Sequence, residues 1–137
     1  MRRTILAWAL LACGSDVSRD PALVYLLERA RGDFATVKEK MAKGEDASYE
    51  CVAPEDAVRE LRARKRIDPI IAEWERACGH DAPLAFARAL VARIEQEKPP
   101  RPSSCFDLSR AIAKLEEKHK DDPEVKALSQ KAKSPCP

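Results

Sequence analysis

Apolar residues recur three and four positions apart along most of this chain, the spacing that places them on one face of an α-helix. The first such stripe follows Asp20-Pro21, a pair in which aspartate caps a helix and proline occupies its first turn. Its members are Leu23, Leu27, Ala30, Phe34, Val37 and Met41. We expect the helix to end near Lys43-Gly44, because glycine favours a helix C-terminus. Gly32 leaves two alternatives open: one long helix, or a hairpin that turns at Gly32-Asp33.

Five further helices are predicted downstream, at about 54–66, 69–78, 83–98, 104–119 and 123–133. Ser104-Cys105-Phe106-Asp107 has the spacing of a capping box at the start of the fourth of these. The prolines between positions 99 and 102 form a stiff connector before it. We therefore predict an all-α fold of five or six helices, stacked as helical hairpins in an irregular bundle or a short solenoid.

An internal repeat starts at Cys51 and again at Cys105, with the same residue classes, including an Asp-Pro pair, at the same offsets. Each copy, at 51–78 and at 105–136, is predicted to be a helical hairpin. Beyond the N-terminal Cys13, the four cysteines at 51, 78, 105 and 136 allow three disulfide connectivities. Antiparallel helices bring the start of one beside the end of the other, within the roughly 7 Å between Cα atoms that a disulfide requires. This geometry favours Cys51–Cys78 and Cys105–Cys136.

The first thirteen residues have the layout of a bacterial export signal, with two arginines, a short apolar run and a small residue before a cysteine. Leu10-Leu11-Ala12-Cys13 resembles the lipobox of bacterial lipoproteins. The resemblance implies that residues 1–12 are a cleaved signal peptide and that Cys13 carries the lipid. Residues 13–19 then form a tether, followed by a single helical domain at 20–137. Ala12-Cys13-Gly14 also fits an ordinary secretory cleavage site, which leaves Ser15 first.

The apolar run of the signal is far shorter than the roughly 20 residues that a membrane-spanning helix needs. Gly14, and not an aspartate, follows Cys13. By resemblance to enteric lipoproteins, this favours an anchor on the periplasmic face of the outer membrane, and the alternative is a secreted periplasmic protein. In either compartment an even number of cysteines argues for disulfides.

Metal binding is the competing use of the cysteines. The chain has no Cys-x-x-Cys pair, and Cys78-Gly79-His80 needs a distant further ligand to hold zinc. The only other histidine is His119. A glycine-rich phosphate loop and a nucleophile elbow are also missing from the sequence. We therefore expect no cofactor, no metal and no catalytic residue.

Short segments resemble tetratricopeptide-like helical hairpin repeats. Ala111-Ile112, Leu115-Glu116 and Asp122-Pro123-Glu124 look like that family's second helix and closing Asp-Pro, and Gly32-Asp33-Phe34 looks like its inter-helix turn. The 34-residue period of the family is absent. The resemblance implies stacked helical hairpins, and such families usually bind other proteins.

Arg59, Arg62, Arg64, Lys65 and Arg66 form the densest basic cluster of the chain. One interpretation is docking to anionic lipid headgroups or to an acidic partner. The interpretation that we favour is local, because cations near a helix C-terminus offset the negative end of the helix dipole. Lys118, His119 and Lys120 occupy the corresponding place in the second copy.

The aromatic side chains and the adjacent acidic pairs also have structural interpretations. Trp74 is a candidate interface anchor, but its counterpart Leu128 predicts a core position instead. Phe86 and Phe106 are also assigned to the core. The adjacent pairs Glu116-Glu117 and Asp121-Asp122 are expected to be solvated, because neighbours one position apart on a helix point to different sides.

Charge excludes one class of function. The chain has 25 lysines and arginines against 23 acidic residues, and the excess lies in Arg2 and Arg3 of the signal. A formally neutral mature chain lacks the positive footprint of a nucleic-acid-binding protein. We predict a membrane-tethered adaptor or scaffold that binds another envelope protein. The alternatives are a periplasmic inhibitor or immunity protein against a toxin or hydrolase and, third, an enzyme with an unrecognised site.

Overall fold

The computed structural model describes residues 20–137, and this part of the chain is helical without any β-strand. The predicted signal peptide at 1–12, the lipid attachment at Cys13 and the tether at 13–19 lie outside the described residues. The helices are α1 (Pro21–Ala42), α2 (Val52–Ala63), α3 (Pro69–Arg76), α4 (Ala82–Gln96), α5 (Pro102–His119) and α6 (Pro123–Ala132). The predicted all-α class is confirmed.

Three helices begin at the Asp-Pro pairs, as their sequence predicts. The side chains of Asp20, Asp68 and Asp122 each accept hydrogen bonds from N–H groups in the first turn of the helix that follows. Each proline occupies a first-turn position where its missing N–H removes no helical bond. The starts of α1, α3 and α6 are therefore fixed by local chemistry.

The first helix is continuous. α1 runs through Gly32 without a break, so the alternative of a hairpin turning at Gly32-Asp33 does not occur, nor does the inter-helix turn that the resemblance implied there. The helix ends at Ala42, and Gly44 just beyond it has a φ of +68°. A Cβ at this position would lie 2.5 Å from the Cβ of Ala89 on α4. Glycine is therefore required both by the left-handed backbone and by the close approach of α4.

α3 and α4, which were predicted as separate helices, form one continuous helix through a π-helical turn at Ala77–Asp81. Pro83 has no N–H to donate to the carbonyl of Gly79, its α-helical partner. The helix is not interrupted here, because the N–H of Ala82 bonds to the carbonyl of Ala77, five residues earlier. The Gly79 carbonyl is satisfied by His119, whose Nε2 lies 2.8 Å away. A distant side chain thus completes a helix that local signals predict to stop.

Two hydrophobic clusters share this long helix. In the first, α1, α2 and α3 pack around Leu23, Leu27, Leu61 and Ile70. In the second, α4 packs against α5 and α6, and its buried members include Leu90, Ile94, Leu108, Leu115 and Val125. A smaller group, made of Val37, Ala47 and Ala82, joins the end of α1 to the start of α4. The predicted hairpins therefore stack side by side along one helix.

Both predicted disulfides are present. Cys51 and Cys78 have their Cα atoms 5.9 Å apart, and those of Cys105 and Cys136 are 5.6 Å apart. In the first bridge, Cys51 directly precedes α2 and Cys78 lies in the π-helical turn after α3. In the second, Cys105 lies in the first turn of α5 and Cys136 follows α6. The pairing follows from the antiparallel arrangement of the helices, as the sequence predicts.

The start of α5 differs from its prediction. The helix begins at Pro102, two positions before Ser104, so the predicted capping box does not form. Glu97 caps the helix instead: its carboxylate accepts from Arg101 N–H at 2.8 Å and from Ser104 Oγ at 2.9 Å. These bonds, led by the one from Arg101 N–H, lower the pKa of Glu97. The cap lies across a proline-rich connector, where sequence spacing does not reveal it.

Candidate functional site

A groove of about 480 Å³ lies between the first disulfide and α5, and we call it the Trp74 groove. Its floor combines the Cys51–Cys78 bridge with small and aromatic side chains. The floor residues are Ala47, Trp74, Ala82, Pro83, Phe86 and Ala111. One wall comes from the loop after α1 and the start of α2, and the opposite wall from α5. The groove therefore exists only where the two stacked hairpins meet.

Trp74 combines the two roles considered for it, a core position and an interface anchor. Its ring is partly buried and packs against the cluster formed by α1, α2 and α3, yet it also lines the groove. The guanidinium carbon of Arg62 lies 5.9 Å from the ring centroid. Within residues 20–137, the buried Nε1–H of Trp74 has no hydrogen-bond acceptor. An unsatisfied buried donor is costly, which makes this side chain unusual among core residues.

Charges of both signs surround the groove. Asp46 and Glu55 lie on the first wall, and Asp107, Arg110 and Lys114 on α5. In the described part of the chain, neither Glu55 nor Lys114 forms an ion pair. Arg110 instead stacks on Phe106, with its guanidinium carbon 5.8 Å from the ring centroid. Glu55 and Lys114 therefore remain available to an external partner, whereas Asp46 accepts hydrogen bonds from its neighbour Ser48.

A second polar site at the hairpin junction is made of residues that do not line the groove, and we call it the histidine clasp: His80, Asp81, His119 and Asp122. His80 Nδ1 lies 2.8 Å from Asp81 Oδ1, and His80 Nε2 lies 2.7 Å from Asp122 Oδ2. The two imidazole rings meet edge to face with centroids 4.9 Å apart. The clasp joins the π-helical turn to the loop between α5 and α6, and so ties one hairpin to the other.

The geometry of the clasp sets the charge of His80. Carboxylates accept hydrogen bonds, so a ring that bonds one at each nitrogen must donate from both and is an imidazolium. The bond to Asp81 is the largest cause that raises the pKa of His80, and Asp122 adds to it against the opposing effect of burial. Burial raises the pKa of Asp122, but the N–H of Glu124 and the His80 ring lower it by more.

Sequence reasoning missed this clasp and misassigned one of its members. Asp122 was expected to be solvated, but it caps α6 and binds His80 at once. Its partners Glu116, Glu117 and Asp121 are exposed as expected. The sequence offered one signal, that both histidines fall near predicted helix ends. No spacing rule joins His80 to Asp122, which is 42 positions away.

The remaining aromatic predictions divide. Phe86 is partly buried and packs against the cluster of α4, α5 and α6. Phe106 was assigned to the core, which is wrong: 62% of it is exposed, beside Arg110. It lies one turn before the groove-lining face of α5, so it belongs to the surface next to the groove.

The basic cluster at 59–66 is largely balanced by local ion pairs. Arg59 bonds Asp56 at 2.7 Å, Arg62 pairs with Glu75, and Arg64 pairs with both Glu60 and Asp20. The contact with Asp20 joins the end of α2 to the start of α1. Lys65 forms no ion pair within residues 20–137 and has a φ of +52°.

Metal chemistry finds no support in the described region, since no group of three or more histidine, cysteine, aspartate or glutamate side chains there could hold an ion. From residue 20 onward, no helix is both long and apolar enough to cross a membrane. No family model, curated protein or solved structure matches this chain.

Proposed function

We propose that this protein is a small lipid-anchored envelope protein that acts as an adaptor, binding a segment of another envelope protein in the Trp74 groove. The observation that carries the proposal is the groove itself. An aromatic floor bounded by charges of both signs is typical of protein interfaces, where apolar anchors are surrounded by a polar rim. The anchor rests on the sequence resemblance at Cys13.

The floor supports an apolar or aromatic anchor from the partner. Trp74 and Phe86 present ring surface, and the disulfide adds polarisable sulfur. An occupant that brought an acceptor to Trp74 Nε1–H would also satisfy a donor that is unpaired in the described chain. Binding would therefore remove a destabilising feature of the free protein.

The rim supports a partner segment with both charges. Glu55 faces the groove from α2, and Arg110 and Lys114 face it from α5. Since Glu55 and Lys114 have no internal ion-pair partner in the part of the chain described, complementary charges on the segment would fix its direction across the groove.

The experiment that tests the proposal is site-specific photocrosslinking in intact cells. A p-benzoylphenylalanine at position 55 on the groove rim should capture one stoichiometric partner. The same group at Gln130, exposed on α6, should not. Equal capture at both positions, or none at position 55, would refute a groove-directed adaptor.

Charge reversal provides the matched controls. Lys114→Glu should abolish the crosslink at position 55, whereas Lys126→Glu, also at an exposed site but on α6, should leave it intact. In Cys13→Ser, loss of the crosslink together with release from the membrane fraction would tie binding to the anchor. Retention of the crosslink in a soluble Cys13→Ser protein would show that the anchor is not needed for recognition.

A further inference from the structure

We infer that the turn between α2 and α3, residues 64–67, contacts the surface of the membrane, with Ile67 at the interface and Lys65 on anionic phospholipid headgroups. The inference rests on the proposed lipid anchor. It assigns a partner to a second surface of the protein, distinct from the Trp74 groove.

The position of Asp20 places this turn near the bilayer. The seven residues from Cys13 to Arg19 span at most about 25 Å when fully extended. Asp20, where they end, is paired directly with Arg64 at the end of α2. Any lipid on Cys13 therefore keeps the α2–α3 turn within about 25 Å of the membrane, because turn and tether meet at one ion pair.

The chemistry of the turn suits an anionic lipid surface. Ile67 is fully exposed, with no apolar neighbour to cover it. A branched apolar side chain in contact with water gains free energy when it enters the boundary between headgroups and acyl chains. Lys65 stands two positions away and has no ion pair among residues 20–137. An uncompensated cation beside an exposed apolar group matches a surface that offers both phosphate and hydrocarbon.

The backbone at Lys65 supports a role beyond folding. α2 ends in a Schellman motif, in which Arg66 N–H bonds Leu61 O at 2.9 Å and Lys65 N–H bonds Arg62 O at 3.0 Å. The end of α1 has the same motif with Gly44 at the left-handed position. Glycine is the usual residue there, and a side chain is disfavoured. The chain thus keeps a lysine where a glycine is better for the fold.

This contact would orient the whole domain. α1 has 22 residues and so extends about 33 Å from Asp20. The first wall of the Trp74 groove follows its far end. With the α2–α3 turn on the lipid surface, this first wall lies at the end of α1 far from the turn, whereas Trp74, beside Arg62, lies nearer to the bilayer.

The test uses the lipidated protein reconstituted in vesicles of three parts phosphatidylcholine and one part phosphatidylglycerol, with brominated acyl chains as quencher. The tryptophan fluorescence of Ile67→Trp should be quenched at least twofold more strongly than that of Val52→Trp. Val52 is also exposed, but lies at the other end of α2. Trp74 contributes equally to both variants and is measured in the unsubstituted protein.

Lys65→Gly separates lipid contact from folding. In the Ile67→Trp background it should at least halve the quenching while keeping or raising the melting temperature. Lys120→Gly, in the corresponding turn of the second hairpin, should leave the quenching unchanged. Equal quenching at positions 67 and 52 would overturn the inference. So would quenching at position 67 that is unchanged by both Lys65→Gly and the removal of anionic lipid. A protein crosslinked at position 67 without quenching would assign the turn to a protein and overturn it too.

Intact mass distinguishes this failure from failure of the anchor. If the mature protein carries no lipid, the anchor proposal is wrong, and the same vesicles then test the turn by flotation of the unlipidated protein. Lys65→Gly should weaken that binding about fivefold, the effect of one cation near an anionic surface. Unchanged flotation would leave the turn without a lipid role.

Discussion

Replacing His80 by glutamine should lower the stability of the protein in a pH-dependent way. The imidazolium makes two charge-assisted bonds, at 2.8 Å to Asp81 and at 2.7 Å to Asp122. Glutamine can keep at most part of this geometry and carries no charge. Bonds to charged groups contribute about 1.5–3 kcal/mol each. Allowing for the partial exposure of the site, we expect a loss of about 2 kcal/mol below neutral pH.

The pH dependence follows from the direction of the pKa shift. The carboxylates raise the pKa of His80 above its ordinary 6.5 in the folded state. The stabilisation is therefore complete below about pH 6.5 and is lost as the pH rises through the raised pKa. The wild-type and His80→Gln proteins should differ most near pH 6 and converge near pH 9.

Urea unfolding followed by circular dichroism at 222 nm at several pH values measures this difference. With a denaturant slope of about 2 kcal/mol per molar, 2 kcal/mol corresponds to a midpoint shift of about 1 M. Asp81→Asn should give an intermediate pH slope, because Asp122 remains. A gap between wild type and His80→Gln that is equal at pH 6 and pH 9 would refute the imidazolium assignment.

Three further predictions concern the fold and the anchor. The Cys105→Ser/Cys136→Ser variant should lose about 3.5 kcal/mol of unfolding free energy, because opening a loop of 31 residues gives the unfolded chain more conformational entropy. Urea unfolding measures this loss, and an unchanged midpoint would contradict it. Gly44→Ala should cost about 1–3 kcal/mol in the same assay, since the new Cβ meets Ala89 and the backbone is left-handed; an unshifted urea midpoint would show that α4 moves to accommodate the Cβ without cost. Cys13→Ser should move the protein from the membrane to the soluble fraction, and membrane retention at unchanged mass would rule out the lipid anchor.

The sequence predicted those features whose causes are local. Asp20, Asp68 and Asp122 each cap a helix within three residues, so their Asp-Pro pairs could be recognised without tertiary information. The disulfide pairing was also within reach, because an antiparallel hairpin dictates which cysteines meet. Helical periodicity and two repeated hairpins were therefore enough to give the fold class.

The features that were missed depend on residues distant in the chain. Pro83 and Gly79 predict a helix end, and only the contact from His119 explains why the helix continues. The exposed position of Phe106 depends on where α5 packs against α4, which a stripe of apolar residues does not specify. The groove likewise forms between two hairpins whose relative position no local motif encodes.

The order of the disulfides along the chain has a consequence for biogenesis. Each disulfide joins two cysteines that are consecutive in the sequence: Cys51 with Cys78, and Cys105 with Cys136. A chain that crosses a membrane from its N-terminus presents these thiols to an oxidant in the same order. Bonding each unpaired cysteine after Cys13 to the next one that arrives gives the native pairs directly. Maturation on that route needs an oxidase but no isomerase to correct the connectivity, and so avoids the slow reshuffling of mispaired disulfides.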